Sequence, residues 1–414
     1  MLTIWLLTAI SMLFGVATGL VNSAAPQAVQ ALQLSSFALG LVGAGVPAGY
    51  TASCLLCGKI FSGMSSKRVL LGGSACAALS LLLMAAAKNS AVLVAAQILF
   101  GLASGAVWPF CSAWLLEFES ARVTHVRLLR HYNVSWTAGT ALGMYAGGQI
   151  CSRGWIFETF QISSAAALCA LVLGALAREF RRQSEPALFP ADPLLSAAHT
   201  DPVSPVPPSA NRRDRVSFPA LTAAVLFNFA AIGTKIVIAV NYAELNKNLG
   251  GGADRMGLLM AVGILTQLAA FGVGKWYEPL LGLRRVYIVG ALILIAVNWT
   301  YARSTWLPAL VLAEAATGFV LAMAFQCAIL AFTARSETPR HGTTLLEASV
   351  GAAGLAPLAA GALSECLKAS GVEVLDALRA PFYAGMGLIA AVLIAQLLLV
   401  PAEKERRRLM LISA

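Results

Sequence analysis

Runs of about twenty apolar residues recur twelve times along this chain, each long enough to cross a ~30 Å hydrocarbon layer as a helix rising ~1.5 Å per residue. They fall near 3–22, 36–57, 69–87, 91–115, 130–151, 155–178, 217–241, 255–275, 286–301, 305–331, 342–364 and 380–400. In hydrocarbon every backbone amide must be satisfied within the protein, so only helices and closed barrels cross. A barrel strand is about ten residues long and alternates in polarity. Val69–Ala87 and Tyr383–Val400 do neither, and helices are expected throughout.

Composition removes the soluble alternatives. Charged residues make up 12% of the 414 positions and hydrophobic ones 58%, whereas about a quarter of a soluble domain is charged. Too little polar surface remains to cover a globule in water. The opening Met1-Leu2-Thr3 carries no basic side chain ahead of its apolar run, so a first span is expected there and not a cleaved signal peptide.

An even number of spans puts both termini on one side, and the basic residues choose that side. With the termini in the cytoplasm, inner segments carry 21 Lys and Arg and outer segments 7, Lys235 lying within a span. That bias follows the positive-inside rule. It also accounts for the net charge of +10, which sets topology and faces anionic lipid; nucleic-acid binding is not expected.

Residues 179–216 break the pattern with seven of the 17 prolines among Ser, Asp and Arg, the composition of a solvated linker. The chain therefore divides into a six-helix bundle over 1–178, a cytoplasmic linker over 179–216, a second six-helix bundle over 217–400 and a basic tail over 401–414. A shift of 217 residues lays one half on the other. Arg68-Val69 falls on Arg285-Val286, Gly73 on Gly290, Gln97-x-x-x-Gly101 on Glu314-x-x-x-Gly318, and Trp108 on Phe325. Parallel six-helix repeats joined by a long linker are the pattern of a two-bundle transporter with its site at the repeat interface.

Several motifs carry a family likeness. The loop after span two reads Gly58-Lys-Ile-Phe-Ser62-Gly-Met-Ser-Ser-Lys67-Arg68, and its later counterpart runs Gly274-Lys-Trp-Tyr-Glu278 on to Arg284-Arg285. Span four holds Gln97-x-x-x-Gly101-x-x-x-Gly105 ahead of Trp108, and span five Asn133-x-x-Trp136-x-x-Gly139-x-x-x-Gly143-x-x-x-Gly147. In these spans and this order the chain resembles the major facilitator superfamily over nearly its whole length. The first loop departs from the family's G-x-L-x-D-R-x-G-R-K-R at its acid, which is Ser62, and span four has Gln97 where the family has Arg. The resemblance implies an all-α fold of twelve transmembrane helices in two pseudo-symmetric bundles, with spans one, four, seven and ten around a central cavity. It gives the basic loop residues a latch role between the bundles, although Lys67, Arg68, Arg284 and Arg285 also suit a headgroup anchor. Gly101, Gly105, Gly139, Gly143 and Gly147, spaced by four, read as helix-packing glycines.

Two ionisable residues stand well inside spans, where leaving them in lipid costs ~2.5–3.5 kcal/mol even on insertion scales. They are Lys235 in span seven and Glu314 in span ten, both in the outer half. The alternatives are a buried structural pair and contact with substrate or proton. Their repeat mates are Thr18 and Gln97. Asn22, Asn228, Asn241 and Tyr242 are further candidates for the solute pathway, and Tyr50, Trp108 and Trp136 offer stacking surface. Glu347 near the inner end of span eleven suits solvation and solute contact alike, and His131 at the inner mouth of span five suits an interfacial position.

Enzyme and metal chemistry lack support. Cys54-x-x-Cys57 lies in an apolar run without a second ligand pair, and no phosphate-cradling G-x-x-x-x-G-K-[ST] occurs. The expectation is therefore a secondary transporter of a small organic solute, with proton coupling as an option and no cofactor or metal. It is expected as a monomer in a plasma membrane, bacterial inner membrane foremost. The rival is a membrane sensor or assembly partner of the same fold that transports nothing.

Overall fold

The computed structural model describes residues 2–61, 64–118, 125–178, 218–281, 283–335 and 339–400. Its first six helices are α1 (Leu2–Ala31), α2 (Ser36–Ile60), α3 (Ser66–Ala85), α4 (Ser90–Leu116), α5 (His125–Ser152) and α6 (Ile156–Leu176). After the linker, which lies outside the described residues, come α7 (Phe218–Asn248), α8 (Ala253–Leu281), α9 (Leu283–Arg303) and α10 (Leu307–Arg335). Three more follow: α11 (Pro339–Ala353), α12 (Ala356–Ala369) and α13 (Val374–Leu399). No strand occurs among the described residues. The 401–414 tail, Ser62 and the linker's basic residues likewise lie outside the described residues.

Eleven stretches are long and apolar enough to span a bilayer, with α11 and α12 counting there as one. The twelfth crossing is α5, whose Gly, Ser, Thr and Gln residues after Asn133 keep its hydropathy low while its 28 residues still suffice in length. The protein is thus a polytopic all-α membrane protein.

Two features depart from the sequence expectation. Several helices outrun their apolar windows: α1 continues past Asn22 to Ala31, and α7 past Asn241 to Asn248. Hydropathy ends at the first polar residues, but a helix packed in a bundle keeps its backbone bonds through them. The eleventh span is broken at Gly354-Leu355, and α12 restarts with Pro357 in its first turn. Proline is preorganised there and its missing N–H costs nothing.

Alternate helices run in opposite directions between two rims. The near rim holds the start of α1 and the far rim its end. Far-rim turns are short, and four of them pass through left-handed backbone at Gln33, Gly154, Gly250 and Gly371. Within the first half α1 packs on α5 and α6, and α4 on α2 and α3; within the second α10 packs on α7, α8 and α9, and α13 on α7 and α9. Between the halves α5 meets α8, and α2 meets α11 and α12.

The repeat offset persists in the packing. A Cβ on Gly101 would stand 2.9 Å from the Tyr50 backbone nitrogen and against the Val46 carbonyl. One on Gly318 would stand 3.0 Å from that of Gln267 and against the Gly263 carbonyl. All three pairs, 101/318, 50/267 and 46/263, share the same 217-residue offset, so α2 on α4 and α8 on α10 are one packing unit used twice.

Candidate functional site

The two intramembrane charges meet. Lys235 Nζ on α7 forms an ion pair with Glu314 Oε1 on α10, with Glu314 fully buried and Lys235 6% exposed. The other carboxylate oxygen, Oε2, accepts the Tyr301 hydroxyl from α9 at 2.8 Å. Lys235 Nζ also lies 3.7 Å from the Met260 sulfur on α8. Gly263, one turn along α8, makes room: a Cβ there would press on Glu314 Oε1 and stand 2.7 Å from Lys235 Nζ. Four helices of the second half thus enclose the pair. Such burial tolerates charge only when it is paired and hydrogen-bonded. Because α7 extends to Asn248, Lys235 lies just past its middle toward the far rim.

Asn228, Lys235 and Tyr242 recur every seven residues, which keeps them on one stripe of α7. Asn228 is 1% exposed, and neither of its side-chain polar atoms has a partner among the described residues. Tyr242 is fully buried with its ring centroid 4.6 Å from that of Tyr301 and its hydroxyl unbonded among the described residues. Asn241, 4% exposed, leaves its Oδ1 unbonded in the same sense. Of the repeat mates, Thr18 donates to the Phe14 carbonyl of its own helix at 2.9 Å, and Gln97 is 1% exposed with its Nε2 unbonded among the described residues. Asn22 on α1 is half-buried. No bond joins these first-half residues to the Lys235–Glu314 pair among the described residues.

The spaced glycines face backbone. Gly139 and Gly143 on α5 lie against the Met12 and Val16 carbonyls of α1, and a Cβ on Gly147 would stand 2.9 Å from that of Ser23. Gly105 lies against Ser53 of α2, with the Tyr50 carbonyl 3.1 Å from its added Cβ. In the loop motif, Lys67 donates to the Ala175 and Ala177 carbonyls at 2.9 and 2.6 Å, capping the end of α6. Lys67 is therefore engaged within its own half. Arg68 and Arg285 are exposed and Arg284 half-buried. Gly58, Gly274 and Glu278 are helical, and their side-chain surroundings lie outside the description.

Trp108 of α4 packs edge-on against Phe14, Tyr132 and Trp136, with centroids at 5.2, 6.3 and 6.1 Å. Tyr132 donates to the Trp108 carbonyl at 3.1 Å, and the Trp136 indole to Asn133 Oδ1 at 3.2 Å. Tyr50 of α2 donates to Glu347 Oε2 of α11 at 2.8 Å, a direct bond between the halves.

A second polar junction between the halves closes the far rim. The Ser36 hydroxyl, at the start of α2, donates to Glu244 Oε2 of α7 at 2.6 Å and accepts from Lys368 of α12. Lys368 pairs with Glu244 Oε1 at 2.7 Å, and the free Ser36 amide of the helix start donates to Glu365 Oε2 at 3.2 Å. Sequence reasoning missed this cluster, because its members sit at helix ends that read as ordinary solvated charge. Beside it a pocket of about 410 Å³ is lined by Gln30, Gln33, Glu244, Lys247 and Asn248 among others. On the other flank α5 and α8 touch backbone to backbone: a Cβ on Gly148 would stand 2.7 Å from Gly257 Cα. No group of three or more His, Cys, Asp or Glu suited to a metal occurs among the described residues.

A family profile described as Major Facilitator Superfamily matches residues 7–241, more than half of the chain. The nucleoside transporter NupG superposes with a TM-score of 0.73 at 12% identity, covering 97% of this chain and 100% of its own. A bacterial homolog of the human lysosomal transporter Spinster, in an inward-facing and occupied conformation, gives 0.70 at 14% identity, covering 96% of each chain. At such identities the likeness speaks to fold. No curated protein sequence matches the chain.

Proposed function

The chain belongs to the major facilitator superfamily, and on that premise we propose that it is a secondary active transporter of a small organic solute, working by alternating access and coupled to protons at Glu314. The observation that carries the reading is the Lys235–Glu314–Tyr301 cluster, an ionisable network sealed inside a membrane-spanning bundle. Removing one member of such a pair costs about 3–5 kcal/mol, so a stability role alone is an expensive use of two charges where apolar side chains would pack. A carboxylate that exchanges its Lys for a proton gives the second bundle two settings.

The far-rim contacts supply the other half of the cycle. Ser36, Glu244, Glu365 and Lys368 on one flank, and Gly148 against Gly257 on the other, hold the halves together at that rim. On the first flank the contacts are hydrogen bonds and an ion pair, and on the second α5 and α8 also share buried apolar contacts that include Met144, Met256 and Met260. With the near rim taken as cytoplasmic, as the basic bias supports, this state is closed to the outside. Residues 1–178 and 217–400 are then the two rocking bodies and 179–216 the tether. Solute contact falls to side chains between the halves, since the ion pair is enclosed within one of them.

Purified protein in proteoliposomes tests this. Solutes of several charge classes are offered with and without an inward-acidic or outward-acidic pH gradient. The reading expects at least one solute to accumulate only with a gradient and to leak away when a protonophore is added. Failure of every class to move in either direction, by protein shown to be correctly inserted, would overturn it.

A further inference from the structure

We propose that Glu347 and the indoles of Trp108 and Trp136 form a recognition site for a small organic cation with a flat aromatic body. The proposal rests on the transport reading, since it names the class of solute taken between the halves.

Depth brings these residues together from four helices. Glu347 lies eight residues in from the near-rim start of α11, Trp108 eight residues short of the near-rim end of α4, and Tyr50 ten short of that of α2. Tyr132 and Trp136 lie seven and eleven residues into α5. At ~1.5 Å per residue all five stand about 10–17 Å from the near rim. Two bonds tie the group in pairs, Tyr50 to Glu347 and Tyr132 to Trp108, and packing joins the pairs: a Cβ on Gly105, three residues before Trp108, would stand 3.1 Å from the Tyr50 carbonyl, and Trp108 meets Trp136 edge-on. All five side chains are half-buried, unlike the enclosed Lys235–Glu314 pair.

Charge selects the ligand class. Glu314 has its counter-ion in Lys235, whereas Glu347 has no Lys, Arg or His partner among the described residues and a single tyrosine hydroxyl. A carboxylate offers about four acceptor sites, and among the described residues one hydroxyl takes up part of this one's capacity. A ligand cation supplies the missing charge, and the faces of two indoles add cation–π attraction and stacking within about 6 Å of a ring centroid. An anion meets repulsion here, and a neutral ring leaves the carboxylate as it was. The cation also competes with Tyr50 for Glu347, and so acts on a bond that holds the halves together.

Equilibrium dialysis of the full-length protein in nanodiscs, with N-methylquinolinium and its uncharged analogue quinoline at pH 7.5, decides the matter. The expected result is retention of the cation about tenfold or more over quinoline, a preference that Glu347→Gln removes while quinoline binding stays. Trp108→Leu should weaken both probes. Tyr50→Phe, which frees the carboxylate, should tighten the cation about three- to tenfold, and Glu347→Asp should keep the preference if Glu347→Gln fails to fold. Equal retention of the two probes by the unaltered protein, or a cation preference that survives in folded Glu347→Gln, overturns the proposal. The two readings fail separately: cation binding without movement of any solute overturns transport alone. Gradient-driven accumulation of another solute without cation preference overturns this site alone.

Discussion

Tyr301 donates its hydroxyl to Glu314 Oε2 at 2.8 Å while Oε1 of the same carboxylate holds Lys235. One side chain from α9 therefore fixes the orientation in which α10 presents its charge to α7. Tyr301 itself is fully buried and stacked near Phe382, with centroids 6.2 Å apart, so it has no freedom to follow the carboxylate if that moves.

Tyr301→Phe should leave the ring packing intact and strip one bond from a buried acceptor. The expected cost is about 1–3 kcal/mol, read as a lowered thermal midpoint of the detergent-solubilised protein. Because the ion pair loses an anchor, the pH profile of transport should also move relative to the unaltered protein. An unchanged midpoint together with an unchanged profile would show that the bond does nothing.

Gly263 gives a sharper geometric test. A side chain there would strike Glu314 and Lys235, so Gly263→Ala should displace the pair and lower stability by an amount typical of overpacking, about 1–3 kcal/mol. Its repeat mate Val46 already carries a side chain, and Val46→Ala should cost only the lost apolar contact, ~1–2 kcal/mol or less. Thermal midpoints of the two variants decide this, and a milder effect at Gly263 than at Val46 would contradict the structure.

At the far rim, Lys368→Ala removes the cation shared by Ser36 and Glu244. Lys368 and Glu244 side chains are 22% and 21% exposed, so solvent screening holds the pair to about 0–1 kcal/mol. The shift should be modest: a larger share of long distances between spin labels at Lys88 and Thr305, both exposed on that rim, one in each half. A distance distribution identical to that of the unaltered protein would show that the junction does not bias the closed state.

How much of this could be read in the sequence depends on the range of the interaction. The spans were legible because burying a helix in lipid leaves an uninterrupted apolar window, and the intramembrane Lys235 and Glu314 stood out against it. Their pairing is open in the sequence alone, since α7 runs seven residues past its apolar window and α10 four, about one to two turns each, which blurs the depth at which each stands. Tyr301 was not legible: it lies two residues from the end of α9, where an aromatic reads as an interfacial anchor. The break in the eleventh span, between α11 and α12, has a signal in Gly354 and Pro357, masked by an apolar run that continues across both. The Ser36–Glu244–Lys368 junction joins residues 208 and 124 positions apart at helix ends, and no periodicity links such sites. Lys67 reads as a latch or a headgroup anchor in the sequence, because capping α6 requires knowing which helix end lies beside it.

Topology has its own test. A cysteine introduced at Ser209 on a Cys-free background should resist a membrane-impermeant thiol reagent in intact cells, while one at Lys88 reacts. Ready labelling at 209 with silence at 88 would place the near rim outside the cell.

The proton step at Glu314 is tested most directly by comparing accumulation with exchange in the same proteoliposomes. Glu314→Gln keeps the shape of the side chain and an acceptor for Tyr301, and cannot release a proton. Correctly inserted, this variant should still exchange internal for external solute at a rate within a few-fold of the unaltered protein, but no longer concentrate it against a gradient when a pH difference is imposed. Undiminished pH-driven accumulation by Glu314→Gln would contradict the account and leave the Lys235–Glu314 pair as structure.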